Sequence, residues 1–402
     1  MTGRSDGQDH RRMADAGDPS VPSEPMEATP AIDPRAIPGR PGPASPIDRR
    51  SVPEREPDAE QMSLARRLRQ PRTILSIAVP FAIIALFVGL NGEQLGKVPS
   101  LIFAANPALV LVAFVVFYAG FPLRGLRWSL LLRGTGFRIG TKDSTEIIFL
   151  SWLVNCVVPA KLGDVYRAYL LKINSSASLS RTFGTVFIER VLDLVAIALL
   201  GIAAGFWSFR DGLPTAIQLV FGIGLVVVIV LAVGLFTMRN FGRRIIVALP
   251  LPHTVLELYD RFEEGVFGAL AVRQLPFLGL LTGLIWLTEA LRLFFVVQAL
   301  GFPGVELGLS GAVFVALIGS LLTAVPLSPA GLGIVEAGVV GVLTVAYGVA
   351  LPEATAIALL DRVISVFSII VLGSIGYLVS PKPRGLGWIP QPNETIEAPT
   401  AA

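Results

Sequence analysis

After residue 72 the sequence is a series of long apolar runs separated by short basic or Pro/Gly-rich breaks. Runs at 74–90, 107–126, 184–206, 215–238, 276–299 and 354–379 have about the 17–25 residues that a helix needs to cross roughly 30 Å of hydrocarbon. Two further regions, 144–173 and 309–349, are apolar but broken in the middle. The first break reads Asn155-Cys156-Val157-Val158-Pro159-Ala160-Lys161-Leu162-Gly163-Asp164, the second Pro326-Leu327-Ser328-Pro329-Ala330-Gly331-Leu332-Gly333. Proline and glycine interrupt the helical ladder, and such backbone is tolerated at membrane depth only beside protein or a wet cavity. The pattern predicts an all-α integral membrane protein with about six full spans and two broken re-entrant hairpins.

Charge decides how the first break runs. Arg66 to Arg72 place the N-terminus in the cytoplasm, and Arg124, Arg127, Arg133, Arg138 and Lys142 return the chain there after the second span. A full crossing at 144–160 would put Lys161, Arg167, Lys172 and Arg181 outside; a hairpin that enters and leaves on one face keeps them inside. The hairpin is therefore expected. Beyond it, Arg210 and Asp211 fall outside, Arg239, Arg243, Arg244, Arg261 and Arg273 inside, Gly301 to Leu307 outside, and Lys382 with Arg384 inside. Parity allows either a hairpin or two short spans at 309–349. Both termini are expected on the cytoplasmic side of the cell (inner) membrane.

Composition agrees. The 402 residues are 53% hydrophobic and only 16% charged, with a mean hydropathy of +0.67, against about a quarter charged in a soluble domain. Residues 1–72 differ: they hold 12 of the 30 prolines and almost no apolar run, so a disordered cytoplasmic tail is expected. The single Cys156 and two histidines leave no disulfide framework, no Cys/His metal site and no intramembrane histidine base. Gly92…Gly96-Lys97 lacks P-loop spacing, and the basic pI reflects topology signals rather than nucleic-acid binding. Residues 253–270, with Leu258, Phe262, Val266 and Leu270 at helical spacing, predict an interfacial helix.

Self-similarity adds to this picture. Leu126-Arg127 matches Leu291-Arg292, Pro159-Ala160-Lys161-Leu162-Gly163 matches Pro329-Ala330-Gly331-Leu332-Gly333, and Glu189-Arg190-Val191-Leu192 matches Asp361-Arg362-Val363-Ile364. The offsets of 165, 170 and 172 residues keep register. Each half reads span, span, broken hairpin, span, the first starting inside and the second outside. An inverted-topology repeat with broken helices meeting near the midplane is the pattern of alternating-access transporters. The expected layout is a tail over 1–72, membrane repeats over 73–210 and 211–380, and a short cytoplasmic tail over 381–402.

Charges inside spans are costly unless paired, so each needs an account. Glu189, Arg190 and Asp193 lie near the start of their span at spacings that join them on one face. Asp361 and Arg362 take the equivalent place, and Glu289 and Arg292 sit deeper at i and i+3. These residues form either a structural ion-pair network or the wall of a polar headgroup cavity. At the breaks, helix termini with free N–H groups suit a phosphate. Lys161 and Arg167 would add charge there, and Asn155 and Ser328 neutral hydrogen bonds, beside Gly163, Gly331 and Gly333. Asp164 and Glu336 would bind a cationic headgroup, carry a proton, or cap a helix.

Asn155…Pro159-Ala160-Lys161-Leu162-Gly163-Asp164…Arg167, Glu189-Arg190…Asp193 and Pro326-Leu327-Ser328-Pro329-Ala330-Gly331-Leu332-Gly333…Glu336 together resemble the transmembrane (flippase-like) region of the lysylphosphatidylglycerol synthase family. That family also holds archaeal members described as dolichol-linked glycosyltransferases. The resemblance covers residues 74–380. It departs at Lys161, where the family usually has Arg, and at Asp164, where it has Glu; the lysine loses the bidentate fork. In the full synthases this region translocates aminoacylated phosphatidylglycerol, which a separate soluble domain makes. The resemblance therefore implies a lipid translocase for a polar-headgroup lipid, such as an aminoacylated phosphatidylglycerol, without cofactor, metal or catalytic residue. A separate lipid-synthesising enzyme and a second copy of the chain are the partners it leaves open. The alternative is a membrane-embedded polyprenyl-phosphate glycosyltransferase or other lipid-modifying transferase, for which Asp164 and Glu336 would be the carboxylates.

Overall fold

The structure, a computed structural model, describes residues 89, 92–158, 161–208, 215–249, 252–270, 272–323 and 328–391. The expected tail, the first expected span other than Gly89, Arg210 and Asp211, and the dipeptides Pro159-Ala160 and Pro326-Leu327 lie outside the described residues. Among the described residues all regular structure is helical. After two short turns come α1 (Pro107–Gly134), α2 (Thr141–Val157), α3 (Leu162–Ile173), α4 (Leu179–Ser208), α5 (Thr215–Thr237) and α6 (His253–Ala269). They are followed by α7 (Leu275–Leu300), α8 (Leu309–Thr323), α9 (Ile334–Tyr347), α10 (Leu351–Arg362) and α11 (Ser368–Val379). Among the described residues five helical stretches are long and apolar enough to cross a membrane: α1, Gly224–Ala248, α7, Pro329–Tyr347, and Leu351–Val379, which joins α10 and α11 through a π turn at Val363–Phe367.

Local chemistry sets the ends. Asn106 caps α1 by accepting the Ala108 N–H at 3.0 Å, with Pro107 at the first helical position, where a missing N–H costs nothing. α7 stops at Gly301 and α9 at Gly348, both left-handed. The core is built on α1 against α7, with α2, α8, α9 and α10 around them. Phe117, Trp128, Ile147, Val296 and Ile357 are fully enclosed.

α2 and α3 pack on each other, as do α8 and α9, so each broken region is a helical hairpin. At about 1.5 Å per residue, α2 and α3 are roughly 26 and 18 Å long, too short to span 30 Å. The two hairpins open at opposite ends of the bundle. At the α6 end, the start of α2 and the end of α3 are tied by one segment. Lys382 Nζ meets Asp143 at 2.8 Å and Glu146 at 3.4 Å, while its carbonyl accepts the Asn174 side chain at 2.8 Å. The end of α1 abuts Gly268 of α6, and the start of α4 joins α6 through Arg181–Glu264 at 2.7 Å. At the other end, Asn106 N–H donates to Ala299 at 2.8 Å, bringing the start of α1 to the end of α7. There Gly311 of α8 sits beside Tyr347, the last residue of α9.

Three expectations change. α1 runs on to Gly134, so Arg124 and Arg127 are buried helix residues, 5% and 1% exposed, rather than part of a basic loop. α4 begins ten residues before Glu189 rather than at residue 184, so its charged triplet lies about 15 Å along the helix. α6 forms as expected, yet Phe262 and Val266 pack on α4, leaving Leu258 as an exposed apolar residue.

Candidate functional site

The buried charges form three groups of ion pairs around one cavity. Arg127 on α1 holds Asp193 with two hydrogen bonds of 2.6 and 3.2 Å, meets Glu189 at 3.1 Å and donates to Thr282 at 3.0 Å. Glu189 also receives Arg167 at 3.0 Å. Arg190 grips Asp164 through Nε at 2.9 Å and Nη2 at 2.6 Å, and lies 3.6 Å from Asp193. On the other side, Arg292 of α7 holds Asp361 at 2.7 and 3.0 Å and also pairs with Glu289. Glu289 receives Arg124 at 2.5 Å, and Arg362 meets Glu336 at 2.9 Å. Such pairs are stable in a low-dielectric interior only when hydrogen-bonded well, because removing each ion from water is costly.

Aromatic rings complete the walls. The Arg124 guanidinium lies 4.7 Å from the Trp152 ring centroid, and Trp286 donates to Asp193 at 3.3 Å. Both tryptophans line the cavity.

The hairpin tips enter this cavity from opposite directions. Lys161 and Ala330 are the two non-glycine residues with left-handed backbone among the described residues, at φ 52° and 51°, and both line the cavity. Gly331 and Gly333 also have positive φ, 70° and 84°. A left-handed lysine costs about 1–2 kcal/mol, a strain that the folded tip must hold. Gly163 has a different reason: a Cβ there would run into the Ser151 carbonyl and lie 2.6 Å from the Asn155 side chain.

Of the residues singled out from sequence, Asn155, Lys161, Glu189, Arg190, Asp193, Glu289, Arg292, Ser328, Gly331, Asp361 and Arg362 line a cavity of about 190 Å³. Gly163, Asp164, Arg167, Gly333 and Glu336 stand behind it as packing and counter-charge. Asn155 accepts the Gly163 N–H at 2.8 Å and Ser328 donates to the Leu332 carbonyl at 2.9 Å, so each ties its own hairpin together. Glu336 accepts the Gly333 N–H at 2.6 Å, which joins capping to its ion pair.

Sequence reasoning missed Arg124, Arg127 and the π turn whose Ser365 and Val366 line the cavity. The Leu126-Arg127/Leu291-Arg292 match was the available signal for Arg127. The π turn left none. Among the described residues no cluster of three His, Cys, Asp or Glu is arranged to hold a metal ion.

Comparison with known proteins agrees with this architecture. A membrane protein of the UPF0104 group from Methanocaldococcus jannaschii is 37% identical over 227 residues, covering 56% of this chain and 93% of its own. Glycosyltransferase AglD of Haloferax volcanii is 28% identical over 349 residues, covering 79% of this chain, which spans about half (55%) of that protein. A UPF0104 membrane protein from Pyrococcus horikoshii is 24% identical over 312 residues, covering 70% of this chain and 90% of its own. The family model described as the lysylphosphatidylglycerol synthase TM region matches residues 73–373. With its apolar helices, the chain is thus a multi-pass membrane protein and belongs to the lysylphosphatidylglycerol synthase transmembrane family.

Proposed function

We propose that the protein is a lipid translocase whose two inverted halves carry a polar lipid headgroup through the shared cavity between leaflets. The observation that carries this reading is the repetition of the ion pairs. Arg127–Glu189 and Arg292–Asp361 are one pair written twice, at offsets of 165 and 172 residues. Asp164–Arg190 and Glu336–Arg362 are another, both at an offset of 172, with each acid in the first turn of the outgoing hairpin arm. Arg124 and Glu289, also 165 apart, occupy the same place in the two halves and pair with each other, as residues beside a two-fold axis do. Hairpins that open at opposite ends yet share a cavity at their tips support inversion and re-entry.

Basic residues favour one orientation. Arg138, Lys142, Lys172, Arg181, Arg273 and Lys382 cluster toward the α6 end, which is the cytoplasmic end by the positive-inside rule. Lys382, tied to Asp143 and Asn174, lies there. The substrate's tails stay in the bilayer while its headgroup crosses by rocking of one half against the other.

A transferase reading has one specific support, the similarity to a protein named glycosyltransferase AglD. Here Asp164 and Glu336 are both engaged by arginines and do not line the cavity, which disfavours them as reacting carboxylates. Reconstitution into liposomes with labelled phosphatidylglycerol, its lysyl ester, phosphatidylethanolamine and a polyprenyl-linked sugar separates the readings. Leaflet exchange with unchanged lipid mass is expected. A protein-dependent mass change would replace translocation with transfer.

A further inference from the structure

The charges around the cavity do not cancel. Seven basic residues, Arg124, Arg127, Lys161, Arg167, Arg190, Arg292 and Arg362, meet six carboxylates, Asp164, Glu189, Asp193, Glu289, Glu336 and Asp361. Every one of those carboxylates lies within 4 Å of a guanidinium, and every arginine has a carboxylate. Lys161 is the member left over: among the described residues its ammonium has no ion-pair partner within 4 Å. The surplus cation is on the cavity wall, at a hairpin tip whose backbone holds a lysine in a left-handed conformation. Three further donors on wall residues, Arg124 Nη1, Arg127 Nε and Arg362 Nη2, have no hydrogen-bond acceptor among the described residues, against one carboxylate oxygen of the set, Glu336 Oε1, which has only its ion pair with Arg362. A site with a surplus cation and unspent donors, and with every acid already committed, is built for an acceptor-rich anion.

We infer that the cavity takes a lipid phosphate headgroup of net negative charge, with Lys161 as its counter-charge, and disfavours a headgroup carrying more positive than negative charge. This rests on the translocase reading and names its substrate class. A phosphate monoanion makes the assembly neutral. A lysyl-phosphatidylglycerol headgroup, with two ammonium groups and one phosphate, would raise the surplus instead, and no carboxylate is free to meet it. Lysine suits this role as a point charge that can follow a moving phosphate, where a bidentate arginine would fix it.

The test uses the full chain in phosphatidylcholine nanodiscs, followed by the fluorescence of Trp152 and Trp286 on the cavity wall. The ligands are dihexanoyl phosphatidylglycerol, its lysyl ester, dihexanoyl phosphatidylcholine and inorganic phosphate. Phosphatidylglycerol is expected to bind at least about tenfold more tightly than the lysyl ester, since an uncompensated charge in a low-dielectric site is worth more than one decade. Lys161→Gln should bring that ratio to within about threefold, and Lys161→Arg should restore the preference. Equal or tighter binding of the lysyl ester by the wild-type protein would overturn the inference without any variant. An unchanged ratio in a folded Lys161→Gln protein would overturn it too. Inorganic phosphate competing as well as the lipid would keep the charge match and assign it to a soluble anion. In liposomes the two ideas separate: exchange of lipids regardless of charge overturns this inference alone, and a charge preference in binding with no exchange of any lipid overturns translocation alone.

Discussion

Replacing Arg127 by Met gives the sharpest energetic test of the ion network. Arg127 is 1% exposed and makes two bonds to Asp193, one to Glu189 and one to Thr282. Methionine fills similar volume but leaves Asp193 with Arg190 at 3.6 Å and Trp286 at 3.3 Å, and Glu189 with Arg167 at 3.0 Å. Breaking one partner of a buried pair costs about 3–5 kcal/mol; because each acid keeps a second arginine, about 3 kcal/mol is expected here. Arg190, whose side chain is 36% exposed, should lose less on the same substitution, about 1 kcal/mol. Reversible unfolding in mixed detergent micelles, followed by circular dichroism, measures both. Adding Asp193→Leu to Arg127→Met should recover part of the loss, since an apolar pair of similar shape replaces a buried ion pair at little cost. A loss below about 1 kcal/mol for Arg127→Met, or one no larger than that for Arg190→Met, would refute the view that this arginine holds the centre of the fold.

Other consequences follow from particular contacts. Gly163→Ala should destabilise by about 2 kcal/mol or more in the same unfolding assay, because its methyl group has no room between Ser151 and Asn155. Asn174→Ala removes side-chain bonds to the Leu170 and Lys382 carbonyls and the Gly387 N–H, so about 2–3 kcal/mol should be lost. Limited proteolysis should then cut within 380–391 faster than in wild type. Neutralising Arg190 and Arg362 together to Gln should lower lipid exchange by about tenfold or more while folded protein is still recovered. Loss of folded protein with normal specific exchange would make those residues structural only.

Much of the architecture was legible because a bilayer leaves few choices: apolar runs become helices, and Pro/Gly breaks become hairpin tips. The spans at 276–299 and 354–379 came out within three residues of Leu275–Leu300 and Leu351–Val379. Ion-pair partners were less legible, since a sequence shows charge but not the group that neutralises it. Arg124 and Arg127 look like the basic loop that follows a span. Only when Glu289 and Asp193, 165 and 66 residues away, are brought beside them does a helix become tolerable there. The same gap affected Asn155 and Ser328, which were expected as ligand donors although their hydrogen bonds go to their own hairpins. Short-range spacing could not separate those uses.

The central claim is that two halves of opposite orientation share one cavity, and cysteine labelling tests it most directly. In a Cys156→Ala background, Lys142→Cys and Ser176→Cys mark the mouth of the first hairpin, and Glu306→Cys and Ala350→Cys the mouth of the second; all four positions are exposed. With a membrane-impermeant maleimide on sealed, oriented vesicles, the first two should label from the cytoplasmic face and the last two from the opposite face. Labelling of all four from one face, or of Lys142→Cys and Ser176→Cys from different faces, would contradict the account.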